Sequence, residues 1–160
     1  QSRGRSYRKG RCAGRIDLTM IPTLSEAEEL FSSVDGMERI ELLLEYTDAL
    51  PALPEAYCVL RDAGLGAIHE CQSPVFLHVE ADAGRVRLWA DVPREAPTAR
   101  GFVGLLYSVF NDRPLEAVLQ APPDLLHTLG IAPLLGMQRS RGLRAIYARL
   151  RSEAQRLSPS

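Results

Sequence analysis

Cysteine is scarce in this chain. Its 160 residues hold three: Cys12, Cys58 and Cys71. An odd, sparse set is not a disulfide framework, and no CxxC pair exists to suggest a redox or zinc motif. The pattern suits a reducing compartment, so a cytoplasmic protein is expected. Long apolar runs are also lacking, and nothing approaches the roughly 18 consecutive apolar residues of a membrane-spanning helix. Phosphate loops are absent too. Gly101-Phe102-Val103-Gly104 lies inside a helical pattern with no following Lys-Ser/Thr, and its glycines are read as permitting close packing. There is no GxSxG elbow and no paired-acid site.

Charge of either sign is balanced overall at a formal −1, but unevenly placed. Residues 1–19 carry six basic residues and one acid, Asp17; from Met20 onward there are thirteen basic and nineteen acidic residues, a net −6. An acidic body argues against a nucleic-acid binder. The basic stretch has no apolar period and reads as disordered over 1–20. A nucleic-acid or anionic-surface arm, a targeting segment and an extension without function all fit it; the last is favoured. Met20 would make a natural initiator, and residues 1–19 then need not belong to the working protein. Residues 21–158 are expected to form one domain, long enough to bury a core.

The middle of the chain gives the fold class. Helices are expected over 25–32 and 35–50, each opened by a capping-box spacing: Ser25 to Glu28 and Asp35 to Glu38. A short helix over 54–62 follows, and Gly64 and Gly66 break it. Ala67-Ile68-His69 reads as a short first strand. Val75, Leu77 and Val79 alternate along a second, and Val86, Leu88 and Ala90 along a third, with Ala81-Asp82-Ala83-Gly84 as the turn. One apolar face of this hairpin must be covered. Helices from about Ala99 to Phe110, after Pro114, over 123–129 and over 142–157 can cover it. The expectation is α+β: a small antiparallel sheet of about three strands against several helices.

Cys71 then stands out, in Glu70-Cys71-Gln72-Ser73-Pro74, at the turn between two strands. A cysteine there can offer sulfur to a partner, whereas most free cysteines are small buried hydrophobes. Glu70 would raise its pKa, and protonated His69 would lower it if it shared a face. Cys58, between Tyr57 and Val59, reads as core packing, and Cys12 as incidental. His69, Cys71, His78 and His127 are the soft metal ligands, but no second pair has ligand spacing, so no metal site is expected. His78 and Glu80 read as solvated on the polar strand face, and His127 as a surface or partly buried residue.

Three stretches together resemble the SufE family of sulfur acceptors, which includes CsdE-like proteins. They are Leu42-Leu43-Leu44-Glu45-Tyr46 running into Leu50-Pro51-Ala52-Leu53-Pro54-Glu55; Cys71-Gln72-Ser73 before an alternating strand; and Arg139-Ser140-Arg141-Gly142-Leu143 opening the last helix. Arg100-Gly101-Phe102 also resembles the start of the family's middle helix. The resemblance implies an IscU-like α+β fold in which Cys71 accepts persulfide sulfur from a cysteine desulfurase of the SufS or CsdA type, stimulates that enzyme and passes sulfur on to iron–sulfur cluster assembly. It also implies that Gln72 and Arg139 lie at the partner surface. The desulfurase uses pyridoxal phosphate; this chain would carry no cofactor. A cluster-assembly scaffold is a further partner by the same resemblance, with no nucleic acid and no membrane. The alternatives are a docking module without transfer and, less favoured, an IscU-like metal or cluster scaffold, which would want several ligating cysteines. Three departures bear on the loop: Glu70 for the usual Gly, Pro74 for a residue with a backbone N–H, and Phe76 for the usual Trp. Sulfur acceptance that is intact, shifted to another partner or lost all fit these departures.

Overall fold

The computed structural model describes residues 23–159; the expectations for the basic extension and for Cys12 lie outside them. Helix α1 spans Leu24–Ser32. Its capping box is Thr23 with Glu26, not Ser25 with Glu28: Glu26 N donates to Thr23 Oγ1 at 3.2 Å, and Thr23 N donates to Glu26 Oε1 at 2.8 Å. Helix α2 spans Met37–Leu44 and tightens into a 3-10 turn at Glu45–Asp48, where a helix to residue 50 was expected. Its N-cap is Gly36, which offers no side chain. Only half of the expected Asp35–Glu38 box survives, as a long 3.5 Å bond from Asp35 N to Glu38 Oε1.

Helix α3 spans Glu55–Asp62 behind Pro54. Strands β1, Phe76–Asp82, and β2, Arg85–Asp91, pair antiparallel in register from Phe76 opposite Asp91 to Asp82 opposite Arg85. Ala83 and Gly84 both have positive φ, 54° and 76°, and make the two-residue turn between the strands. Among the described residues the sheet has these two strands. The expected first strand shrinks to a single bridge, Ala67 opposite Phe76. After that bridge the chain leaves the sheet to form a loop.

Four further helices follow: α4 at Pro97–Phe110, α5 at Leu115–Leu119, α6 at Leu125–Thr128 and α7 at Met137–Leu157. Helix α4 starts two residues before the expected Ala99, because Pro97 suits a first helical turn. Pro114 stands just before α5 as its N-cap. The core is one cluster. Leu77 and Val79 of β1 and Val86, Leu88 and Ala90 of β2 are buried together with Leu143, Ile146, Leu150 and Ala154 of α7 and with most of α4. Burying each such side chain is worth roughly 1.5–3 kcal/mol. Gly101 and Gly104 let α4 run against the carbonyls of Leu43 and Tyr46, where any Cβ would collide. This is the close packing expected of them. Arg100 ties the same corner together, donating to Thr47 O at 2.7 Å and Val92 O at 2.6 Å.

The outer face of the hairpin is not simply solvated. Tyr57 of α3 stacks on Trp89 with ring centroids 4.7 Å apart. Its hydroxyl donates to Glu80 Oε1 at 2.7 Å, Trp89 Nε1 reaches the same oxygen at 3.4 Å, and His78 Nε2 lies 3.2 Å from Glu80 Oε2. These bonds, Tyr57's first, hold the Glu80 carboxyl below the ordinary range. His78 and Glu80 are therefore half-buried and partnered, contrary to the solvated reading. Strand alternation tells which face a residue occupies, not what covers that face. Cys58 is corrected as well: α3 buries none of its residues fully, and the Cys58 thiol is half-buried, 3.7 Å from Leu53 O.

Candidate functional site

The segment between α3 and β1 forms a closed loop with Cys71 at its tip. Two backbone bonds clip its neck: Ile68 N to Val75 O and Leu77 N to Gly66 O, each 2.9 Å. Gly66 makes the second possible. It has φ +76°, and a Cβ there would sit 2.8 Å from Leu77 O and 2.9 Å from the Phe76 ring. Ile68 and Val75 are buried just inside the neck, while His69, Glu70, Gln72 and Pro74 are exposed. Apolar anchors below and polar residues above fix the loop upright on the sheet.

Helix α7 holds this loop at two points. Arg149 Nη2 donates to Ala67 O at 3.2 Å, at the neck. At the tip, the Cys71 thiol faces Gly142 O at 3.5 Å, a weak S–H donor contact. A Cβ on Gly142 would lie 3.2 Å from Cys71 Sγ. Glycine thus makes the seat for the sulfur inside a helix that starts at Met137, five residues earlier than its apolar stripe suggested.

Cys71 is half-buried. Burial first, and the Glu70 carboxylate second, push its thiol above the ordinary cysteine value. At neutral pH it rests as the thiol. Glu70 carries no positive φ, so replacing the family's usual glycine strains nothing in the backbone. Its effect is electrostatic.

The sulfur borders two clefts. One, of about 680 Å³, runs past His69, Pro74 and Phe76 to Leu65 and the Arg61–Asp91 ion pair, whose N···O distance is 2.7 Å. The other, of about 270 Å³, lies between the N-terminal turns of α4 and α7 and includes Thr98, Gln138, Arg139 and Leu143. Gln72 and Ser73 line both. The structure thus gathers Cys71, Gln72 and Arg139 around one small cleft. His69 and His127 line a third cleft, behind Glu70, while His78 is away on the hairpin's outer face. Among the described residues no three His, Cys, Asp or Glu side chains gather as a metal would need. No helix among them is long and apolar enough to cross a membrane.

Residues 25–154 match the family described as SufE: Fe-S metabolism associated domain. The chain belongs to the SufE family. It is similar to an uncharacterized SufE-like protein of Mycobacterium tuberculosis, with 41% identity over 129 residues covering 80% of this chain and 88% of the relative. An uncharacterized SufE-like protein of Rhizobium meliloti is 25% identical over 144 residues, covering 88% of this chain and all of the relative. Among solved structures, the solution structure of a hypothetical protein from Thermus thermophilus aligns with a TM-score of 0.69 at 36% identity. That match covers 84% of this chain and 94% of the other. A SufE-family chain is one associated with iron–sulfur metabolism.

The sequence motifs singled out Cys71, Gln72 and Arg139, which line one cleft. They missed Gly142 as the sulfur's seat and Arg149 as the neck anchor. The seven-residue interval between those two puts them on one helix face. That was the available signal, but which loop the face meets is a tertiary fact.

Proposed function

We propose that the protein accepts persulfide sulfur from a cysteine desulfurase on Cys71, stimulates that enzyme and hands the sulfur to iron–sulfur cluster assembly in the cytoplasm. The observation that carries this reading is the position of Cys71, half-buried at the tip of a clipped loop and lining two clefts. The two free cysteines among the described residues fit a reducing compartment.

The chemistry is a thiol exchange. Cys71 loses its proton, and the thiolate attacks the outer sulfur of the desulfurase persulfide. A new S–S bond forms on Cys71 as the enzyme's S–S bond breaks. The electron pair leaves with the enzyme's cysteine, which takes up a proton. Two thiol-level sulfurs and one sulfane sulfur are present before and after, so no external oxidant is needed. The raised thiol pKa keeps the resting protein unreactive. Docking that brings a cation near Cys71 or Glu70 would release the thiolate where it is used. Arg139 and Gln72, at the mouth of the smaller cleft, are assigned to the partner surface.

A second reading, docking without transfer, draws on the same raised pKa. Desulfurase turnover separates the two. Turnover that rises with the wild-type protein and not with Cys71→Ser supports sulfur acceptance. Equal stimulation by both supports docking alone.

A further inference from the structure

We infer that the cleft behind Glu70, which adjoins the two sulfur clefts at His69 and Gln138, is a docking groove for an acidic, apolar-tipped segment of the desulfurase. This assignment rests on the reading above and specifies where the partner holds on. The cleft measures about 1160 Å³, larger than either cleft at the sulfur. Its floor is apolar, with Ala132, Pro133 and Leu135. Met137 stands at its edge and is 92% exposed, the most exposed of the large hydrophobic residues among those described.

The charge of the cleft runs against the charge of the body. From Met20 onward the chain is net −6, yet Arg141 and Arg144 line this cleft against one acid, Glu70. Arg144 is engaged by Asp124 at 3.2 Å. Arg141 is exposed and makes no hydrogen bond or ion pair among the described residues, as is also true of Arg139 one turn before Gly142. Both stand near the positive end of the 21-residue helix α7, whose first turn holds no acid. Cations at a helix N-terminus are disfavoured, and acids are preferred there. The unpaired Arg141 in that position, beside an exposed methionine and an apolar floor, complements a segment bearing a carboxylate and one or two apolar side chains. Glu70 joins the groove to the chemistry, since it lines the groove and precedes Cys71.

The test is binding to a purified cysteine desulfurase of the same genome, read by calorimetry with Cys71→Ser protein so that no sulfur moves. Arg141→Glu and Met137→Asp alter exposed side chains, and unchanged melting curves verify their folding. Each is expected to weaken binding about tenfold, with Arg141→Lys close to wild type and the salt dependence reduced in Arg141→Glu. In the Cys71-bearing forms, sulfur loading at saturating protein should be unchanged, so the loss appears in affinity alone. Both variants binding within about twofold of the parent, while wild type binds and loads, would overturn the groove and leave the sulfur-acceptor reading standing. Wild-type protein that neither binds nor loads contradicts that reading and takes the groove with it. Self-association of the protein alone that Arg141→Glu abolishes would assign the groove to a second copy and overturn the desulfurase as its occupant.

Discussion

Gly142 and Arg149 stand two turns apart on one face of α7 and hold the two ends of the Cys71 loop. Gly142 meets the sulfur at the tip, and Arg149 the Ala67 carbonyl at the neck. Two turns of helix rise about 10 Å, so one rigid element sets the height of the sulfur above the sheet.

Gly142→Ala tests the seat. The new Cβ would press on Sγ from 3.2 Å, and Cys71 Cα lies only 3.5 Å away, so the loop must give by a few tenths of an ångström. Alanine favours the helix by about 1 kcal/mol over glycine, which offsets part of the strain. The expected result is near-unchanged thermal stability with severalfold faster alkylation of Cys71 by iodoacetamide. Slower alkylation would mean that the sulfur is pushed inward.

Glu70→Gln removes the charge that, after burial, holds the thiol up. The inflection in the pH dependence of alkylation should move to lower pH, and the rate at neutral pH should rise. The inflection should stay above that of free cysteine, because burial persists. An unmoved inflection would assign the elevation to burial alone.

Arg149→Gln shortens the neck anchor. Loss of one such bond costs about 1 kcal/mol. Hydrogen exchange should speed at the Ile68 and Leu77 amides, which close the neck, before it speeds at the β1–β2 ladder. Uniform loss of protection would mean a global rather than local role for Arg149.

Glu80→Gln tests the aromatic cover on the hairpin. The Glu80 pKa is lowered in the folded state, so its contribution is present above the unfolded carboxylate pKa and lost as pH falls through the folded value. The wild type should lose melting temperature across that acid window, and Glu80→Gln should lose less. Parallel profiles would contradict the network's role.

The fold class was legible because alternation in 75–80 and 85–90 and the apolar stripe of the last helix are local signals. Cys71 was legible for the same reason: the two glycines before it and the strand after it define a loop. What escaped was set by long-range contact. Ala67-Ile68-His69 has strand composition, yet only Ala67 forms a bridge, because beyond the Ile68–Val75 bond the chain leaves the sheet as the Cys71 loop. The apolar stripe of α7 begins only at Leu143, so the periodicity placed its start near Gly142, five residues late. The cover over Glu80 comes from Tyr57 of α3, more than twenty residues away in sequence. The family's motifs named Arg139 but gave no hint of Arg149.

The most direct test of sulfur acceptance is the intact mass of the protein after incubation with a cysteine desulfurase and cysteine, without reductant. The account predicts the gain of one sulfur atom, reversed by a thiol reductant and absent in Cys71→Ser. No gain with a desulfurase of proven activity from the same genome, or an equal gain in Cys71→Ser, would contradict it.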